Sequence, residues 1–126
     1  VDALEFLFDG SESAELTLAL AHGAGAPMDS PFLARFAAGL AREGFRVARF
    51  EFPYMRARRQ GGKRGAPDRP AVLEQTWLEA IAKLGGGARL AIGGKSLGGR
   101  IASMVADGAG VRGLACLGYP IHPPGQ

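Results

Sequence analysis

Gly94-Lys95-Ser96-Leu97-Gly98 has the form G-x-S-x-G and lies between a short apolar run and a helical pattern. A serine on a sharp strand-to-helix turn can serve as the nucleophile of acyl transfer, because the turn exposes its hydroxyl ahead of a helix N-terminus. Such a turn tolerates no bulk around it. Gly94 lets the chain reverse, and Gly98 lets the helix pack close. The helix behind Ser96 offers unpaired N–H groups and the positive end of its dipole to a developing oxyanion, and Leu97 N–H is the first expected donor. A second backbone donor is needed. His22-Gly23-Ala24-Gly25-Ala26-Pro27 directly follows the apolar run LTLALA, and its small residues allow close approach to a substrate carbonyl. We place the second donor at Ala24 N–H, with Gly23 and Gly25 shaping the turn and His22 stabilising it rather than acting as a base.

The elements that must position these residues follow from hydrophobic period. Leu4 to Phe8 and Leu16 to Ala21 read as strands separated by Asp9-Gly10 turn chemistry. Ser30-Pro31 opens a helix whose Phe32, Leu33, Phe36, Ala37 and Leu40 share one face and which Gly44 ends. Phe45 to Phe52 is the next strand. Pro53 to Asp68 shows no apolar period and reads as a loop of about 16 residues, long enough to suggest function or mobility. Pro70 opens a second helix with Val72, Leu73, Thr76, Trp77, Ala80, Ile81 and Leu84 on one face, stopped by Gly85-Gly86-Gly87, and Trp77 reads as a packing residue. Arg89 to Gly93 is a strand, Leu97 to about Gly108 a third helix, and Val111 to Gly118 the last strand. This alternation predicts the α/β class: a mostly parallel sheet with helices on both faces.

Composition narrows the class further. The 126 residues are 47% apolar and 21% charged, which suits one small globular domain spanning residues 1–126 rather than a disordered or fibrous chain. One cysteine, Cys116, cannot form an internal disulfide, and with two histidines it leaves too few ligands for a structural zinc site. No metal or cofactor is expected. Cys116 lies mid-strand in LACLG and reads as a core thiol. The absence of Lys or Arg before Arg35, with only short apolar runs, indicates neither a signal peptide nor a membrane span, so a cytoplasmic location without membrane association is expected. The net charge of +3 is local: residues 46–69 carry eight bases against two acids, so that stretch is +6 and the rest −3. Arg56, Arg58, Arg59, Lys63 and Arg64 are candidates for an anionic ligand, and a solvated basic loop is the equal alternative. Nucleic acid is the weaker partner, since Tyr54 is the lone aromatic within the cluster and no stacking series is present.

Through LAHGAGAPMDSP, FEFPYMRARR followed by GKR, GGKSLGGR and GYPIHPPG, the sequence resembles the α/β-hydrolase superfamily. More narrowly it is similar to a bacterial branch related to dienelactone-hydrolase-like proteins and to the hydrolase-like KANL/Tex group, over Leu20 to Gly125. The resemblance implies a partial α/β-hydrolase fold with LTLALA beside the elbow strand and FRVARFEF outside it. It also implies an acid and a histidine after the serine, in that chain order. Asp107 and His122 have the order, but Asp107 stands 11 residues down the helix from Ser96, about 16 Å by helical rise, and reads as a surface residue. His122 reads as a loop residue that shapes the pocket. The expectation is therefore that about a third of the full protein, including the triad acid and base, is not in this sequence, as an initial Val1 also suggests. The last strand would then have an unpaired edge.

Two nucleotide motifs fail on single residues. A phosphate-binding loop ending in Gly94-Lys95-Ser96 needs glycine at position 89, which is Arg89, and a dinucleotide fingerprint starting at Gly23 needs glycine at position 28, which is Met28. The expected function is a serine hydrolase acting on a small-molecule acyl substrate, anionic if the basic residues contact it. The alternative is a hydrolase-fold scaffold without catalysis, whose basic loop meets an anionic partner. Neither substrate identity nor oligomeric state is legible.

Overall fold

The computed structural model describes residues 4–62 and 65–117, with the side chains of Cys116 and Leu117 outside that description. Lys63, Arg64, His122 and the core-thiol reading of Cys116 therefore lie outside the described part. Among the described residues nine elements alternate: β1 (Leu7–Asp9), β2 (Thr17–Ala21), α1 (Pro31–Arg42), β3 (Arg46–Phe50), α2 (Pro53–Arg59), α3 (Pro70–Lys83), β4 (Leu90–Lys95), α4 (Leu97–Ala109) and β5 (Gly113–Leu117). The sheet order is β1-β3-β2-β4-β5, parallel throughout except for β1, which runs antiparallel on β3. Thus β2 does lie beside β4 with β3 outside it, and among the described residues β5 pairs only with β4.

The strands are apolar on both faces because helices cover both. Leu20 and Val47 pack with Leu33 and Ala37 of α1 on one side. On the other, Ala19, Ala21, Phe50 and Ile92 pack with Trp77, Ala80 and Ile81 of α3 and with Ile101, Ala102 and Val105 of α4. Such double coverage is what a near-continuous apolar strand requires. Trp77 meets the Phe50 ring edge-on at 4.8 Å. Helix α1 starts as expected, with Pro31 in its first turn and Ser30 Oγ accepting from Leu33 N–H at 3.4 Å. Phe32 departs from the expected face: it is 46% exposed, stacks on Phe36, and carries the Lys95 ammonium 4.7 Å from its ring centre.

The expected loop from Pro53 is the main correction. Its first seven residues form α2, with Pro53 in the first turn and Arg56, Arg58 and Arg59 in the last. A single buried residue, Met55, gives this helix too little apolar surface to show a period. Its start is completed from afar, since Tyr54 N–H donates to Asp68 Oδ2 at 2.9 Å. The basic residues sit where the negative end of the helix dipole favours them. No described helix is long and apolar enough to cross a membrane.

The register decides where the site forms. Ala21 stands opposite Gly94 on one side and Phe50 on the other, so β2 and β3 end level and β4 one residue later, and the three deliver their following residues side by side. The first turn of α4 then packs on the end of β2. A Cβ on Gly98 would land on the His22 carbonyl and lie 2.8 Å from Ala21 Cβ. Gly108, in the last turn of the same helix, faces open space. Gly98→Ala is therefore expected to cost about 1–3 kcal/mol through overpacking, whereas Gly108→Ala should gain up to about 1 kcal/mol from helix propensity. Urea denaturation of the two variants measures the contrast.

Candidate active site

Ser96 occupies the β4–α4 turn at φ 52° and ψ −113°, the only non-glycine residue with positive φ among those described. A side chain held there costs of the order of 1–3 kcal/mol, so the surroundings must enforce it. They do so by contact. A Cβ on Gly94 would meet the backbone of Gly98 and Gly99 at 2.7 Å and the Ala21 carbonyl at 2.8 Å, so the chain can fold back only over a glycine. Trp77 adds a polar tie from α3, its Nε1–H donating to the Gly98 carbonyl at 3.2 Å. The sequence reading treated this indole as packing alone, although a buried indole N–H always needs an acceptor.

The result is a half-buried Ser96 at the head of α4 whose hydroxyl caps no helix N–H and has no hydrogen-bond partner among the described residues. Ser96, Leu97 and Ala24 line one cavity of about 370 Å³. Its other walls are Ile101 and Met104 of α4, Leu73 and Pro70 of α3, and Pro67, with Asp68 and Arg100 as the charged members. The structure thus brings together the three residues expected to carry nucleophile and oxyanion donors.

The loop after β2 is held by its histidine. Phe52 N–H donates to His22 Nε2 at 3.1 Å, which leaves the proton on Nδ1, and Nδ1–H donates to the Gly23 carbonyl at 2.6 Å. That carbonyl belongs to the peptide whose opposite edge is Ala24 N–H. A planar trans peptide points its C=O and N–H in opposite directions, so anchoring one aims the other. His22 is fully buried, and burial holds its pKa below the usual 6.5, with the Gly23 carbonyl and Glu51 opposing. Both nitrogens are engaged, so His22 positions the turn and has no free lone pair for proton abstraction. Gly23 packs against the elbow, since a Cβ there would lie 3.2 Å from the Lys95 carbonyl and 3.6 Å from Ser96 Cβ. Gly25 is exposed with open space around it, so packing places no demand for glycine at that position.

Tyr54, which the sequence offers only as the lone aromatic of the basic stretch, supports the turn that carries Ala24. Its hydroxyl donates to the Ala24 carbonyl at 3.1 Å and more weakly to the Gly23 carbonyl at 3.4 Å, so α2 braces the same turn. Burial pushes its pKa up to about 12, which keeps the phenol a donor at neutral pH. A second brace holds the end of the loop. Glu51 Oε2 accepts from Met28 N–H at 3.2 Å, and Arg49 donates to the Met28 carbonyl at 3.0 Å.

The basic residues behave differently from the expected anion-binding cluster. Arg59 donates to both carboxylate oxygens of Asp29 (2.7 and 3.1 Å) and to both of Glu51 (2.7 and 3.0 Å). The Glu51 contact, then Asp29, holds the guanidinium pKa above its ordinary value, and the Arg59 hydrogen bond lowers that of Asp29. Arg59 is thereby paired with two carboxylates of this chain. Arg56 pairs with Glu5 at 3.2 Å, and Arg58 donates to the Gly65 carbonyl at 3.3 Å. Of these carboxylate partners only Glu51 lies within residues 46–69, and nothing in local sequence shows that Asp29, 30 residues before Arg59, would join it. Asp107 is exposed in the last turn of α4, as expected, and takes no part in the site.

His22→Phe removes the acceptor of Phe52 N–H and the donor to Gly23, and is expected to cost about 2–5 kcal/mol in denaturant titration. The same histidine sets a pH dependence. Its folded-state pKa lies below 6.5, so the unfolded chain takes up the proton first. Stability should hold above pH 6.5 and fall as pH drops through and below it, with a shallower slope in His22→Gln.

A family model described as alpha/beta hydrolase domain matches residues 14–126. Among solved structures, a protein described as a predicted CIB-like hydrolase from Thermoplasma acidophilum aligns with a TM-score of 0.62 at 19% identity. The alignment covers 90% of this chain and 62% of that one, so this chain spans less than two thirds of that structure, and at such identity the likeness is one of fold. No curated protein matches. With the elbow turn, the sheet order and the family model in agreement, the chain belongs to the alpha/beta hydrolase domain family.

Proposed function

We propose that this protein is a serine hydrolase that cleaves an ester, thioester or related acyl bond through Ser96. The observation that carries the reading is the strained serine at φ 52°, without a hydrogen-bond partner among the described residues, opening on the cavity that Leu97 and Ala24 also line. Ser96 Oγ adds to the substrate carbonyl carbon while its proton passes to a histidine base. The carbonyl oxygen, now anionic, accepts from Leu97 N–H and Ala24 N–H. Collapse breaks the bond to the leaving group, which takes the proton from the histidine, and a water molecule then repeats the sequence on the acyl-enzyme to release the acid and restore the serine. His22 cannot be that base, having spent both nitrogens. His22 is the only histidine among the described residues, so these hold no base for Ser96. The motifs FEFPYMRARR, GGKSLGGR and GYPIHPPG support a finer placement beside the KANL/Tex-like branch.

The test is labelling of the full-length protein by a fluorophosphonate probe, with labelling abolished in Ser96→Ala. Absence of labelling in the folded wild-type protein would overturn the reading and leave the non-catalytic scaffold in its place.

A further inference from the structure

Arg100 and Met104, four residues apart on α4, line the same cavity as Ser96 of the turn that precedes the helix. Arg100 is exposed in the first turn of α4, and side chains on a helix lean toward its N-terminus, the end at which Ser96 stands. The wall beyond it is apolar, from Leu73, Ile101 and Met104. Of the two charges at the cavity, Asp68 is already engaged with Tyr54 N–H at 2.9 Å. The Arg100 guanidinium has no hydrogen-bond or ion-pair partner among the described residues. This contrasts with Arg56, Arg58 and Arg59, whose guanidinium groups are drawn onto Glu5, Gly65, Asp29 and Glu51.

On the acyl-transfer reading above, we infer that Arg100 is a specificity-determining residue and that the substrate is an acyl compound whose chain ends in a carboxylate or comparable anion. The carbonyl sits at Ser96 between the two backbone donors, and the chain runs along α4. The axial rise from Ser96 to Arg100 is about 6 Å, the reach of a short aliphatic chain. A dicarboxylic monoester or monothioester of that length places its methylenes on Leu73 and Ile101 and its free carboxylate on the guanidinium, which can donate to both carboxylate oxygens. The anion preference thus comes from α4 rather than from the basic residues of α2.

Two probes separate this inference from the reading on which it rests: a hexyl fluorophosphonate and a carboxypentyl fluorophosphonate, each reacting at serine with loss of fluoride. In the full-length protein the carboxylate probe should label about tenfold faster than the neutral one, the size of effect expected for a charge-assisted hydrogen bond. In Arg100→Gln the ratio should fall to about one, whereas Arg100→Lys, which keeps the charge, should retain a ratio above one. A merely structural role for Arg100 would change both rates and leave the ratio alone. Equal labelling by both probes in the wild-type protein, or a ratio unchanged in Arg100→Gln, would overturn the inference while leaving the serine-hydrolase reading intact. No labelling by either probe would overturn that reading and this inference with it.

Discussion

The seating of the first turn of α4 on the end of β2 is the constraint from which the site follows. There is no room for a Cβ at Gly98 against Ala21 and His22, nor at Gly94 against the backbone of Gly98 and Gly99. Close approach of the two elements forces the chain between them into a reversal too sharp for ordinary backbone. The residue at its apex takes the strain, at φ 52°. Ser96 is therefore not exposed by chance: the tight packing below it pushes its side chain out of the turn and into the cavity. The cost of the strained residue is offset by core contacts of Ile101, Ala102 and Val105 along the same helix, and by the hydrogen bond from Trp77.

Around that turn the polar groups form a hierarchy of supports. Phe52 N–H sets the tautomer of His22, His22 sets the Gly23 carbonyl, and the peptide plane sets the direction of Ala24 N–H. Tyr54 and the Glu51–Arg59–Asp29 group hold the flanks of the same loop. All these residues come from the carboxyl ends of β2 and β3 or from the segments just after them, the side of a parallel sheet where ligands bind. Much of the positive charge near residue 50 therefore serves scaffolding. Guanidinium groups suit this use because each can satisfy several carbonyl and carboxylate oxygens at once.

What sequence could and could not reveal divides along the range of the interactions. The strands, α1, α3 and α4 were legible because their apolar spacing and their Pro and Gly boundaries are local. Helix α2 was not, since seven residues around one buried methionine carry no measurable period and its N-terminus is completed by Asp68 from 14 residues away. Phe32 matched the apolar face of α1 by spacing yet lies at its rim, where Phe36 and Lys95 occupy its ring faces. Tyr54 stood in plain view after Phe52-Pro53, but its acceptors lie 30 and 31 residues back in the chain.

By itself the sequence determined the chemistry on offer: a serine between glycines at a strand-to-helix boundary, a second glycine-containing turn after the neighbouring strand, and the order of elements that makes a parallel sheet. These are encoded by residue type over a few positions. Only the tertiary structure decided that the two turns converge on one cavity, that His22 is a fixed donor and acceptor rather than a base, and that Arg59 is paired with Asp29 and Glu51 while Arg100 lines the cavity on which Ser96 opens. The physical reason is that partner choice among charged and polar groups depends on distances between segments, and those distances exist only once the strands have paired in register.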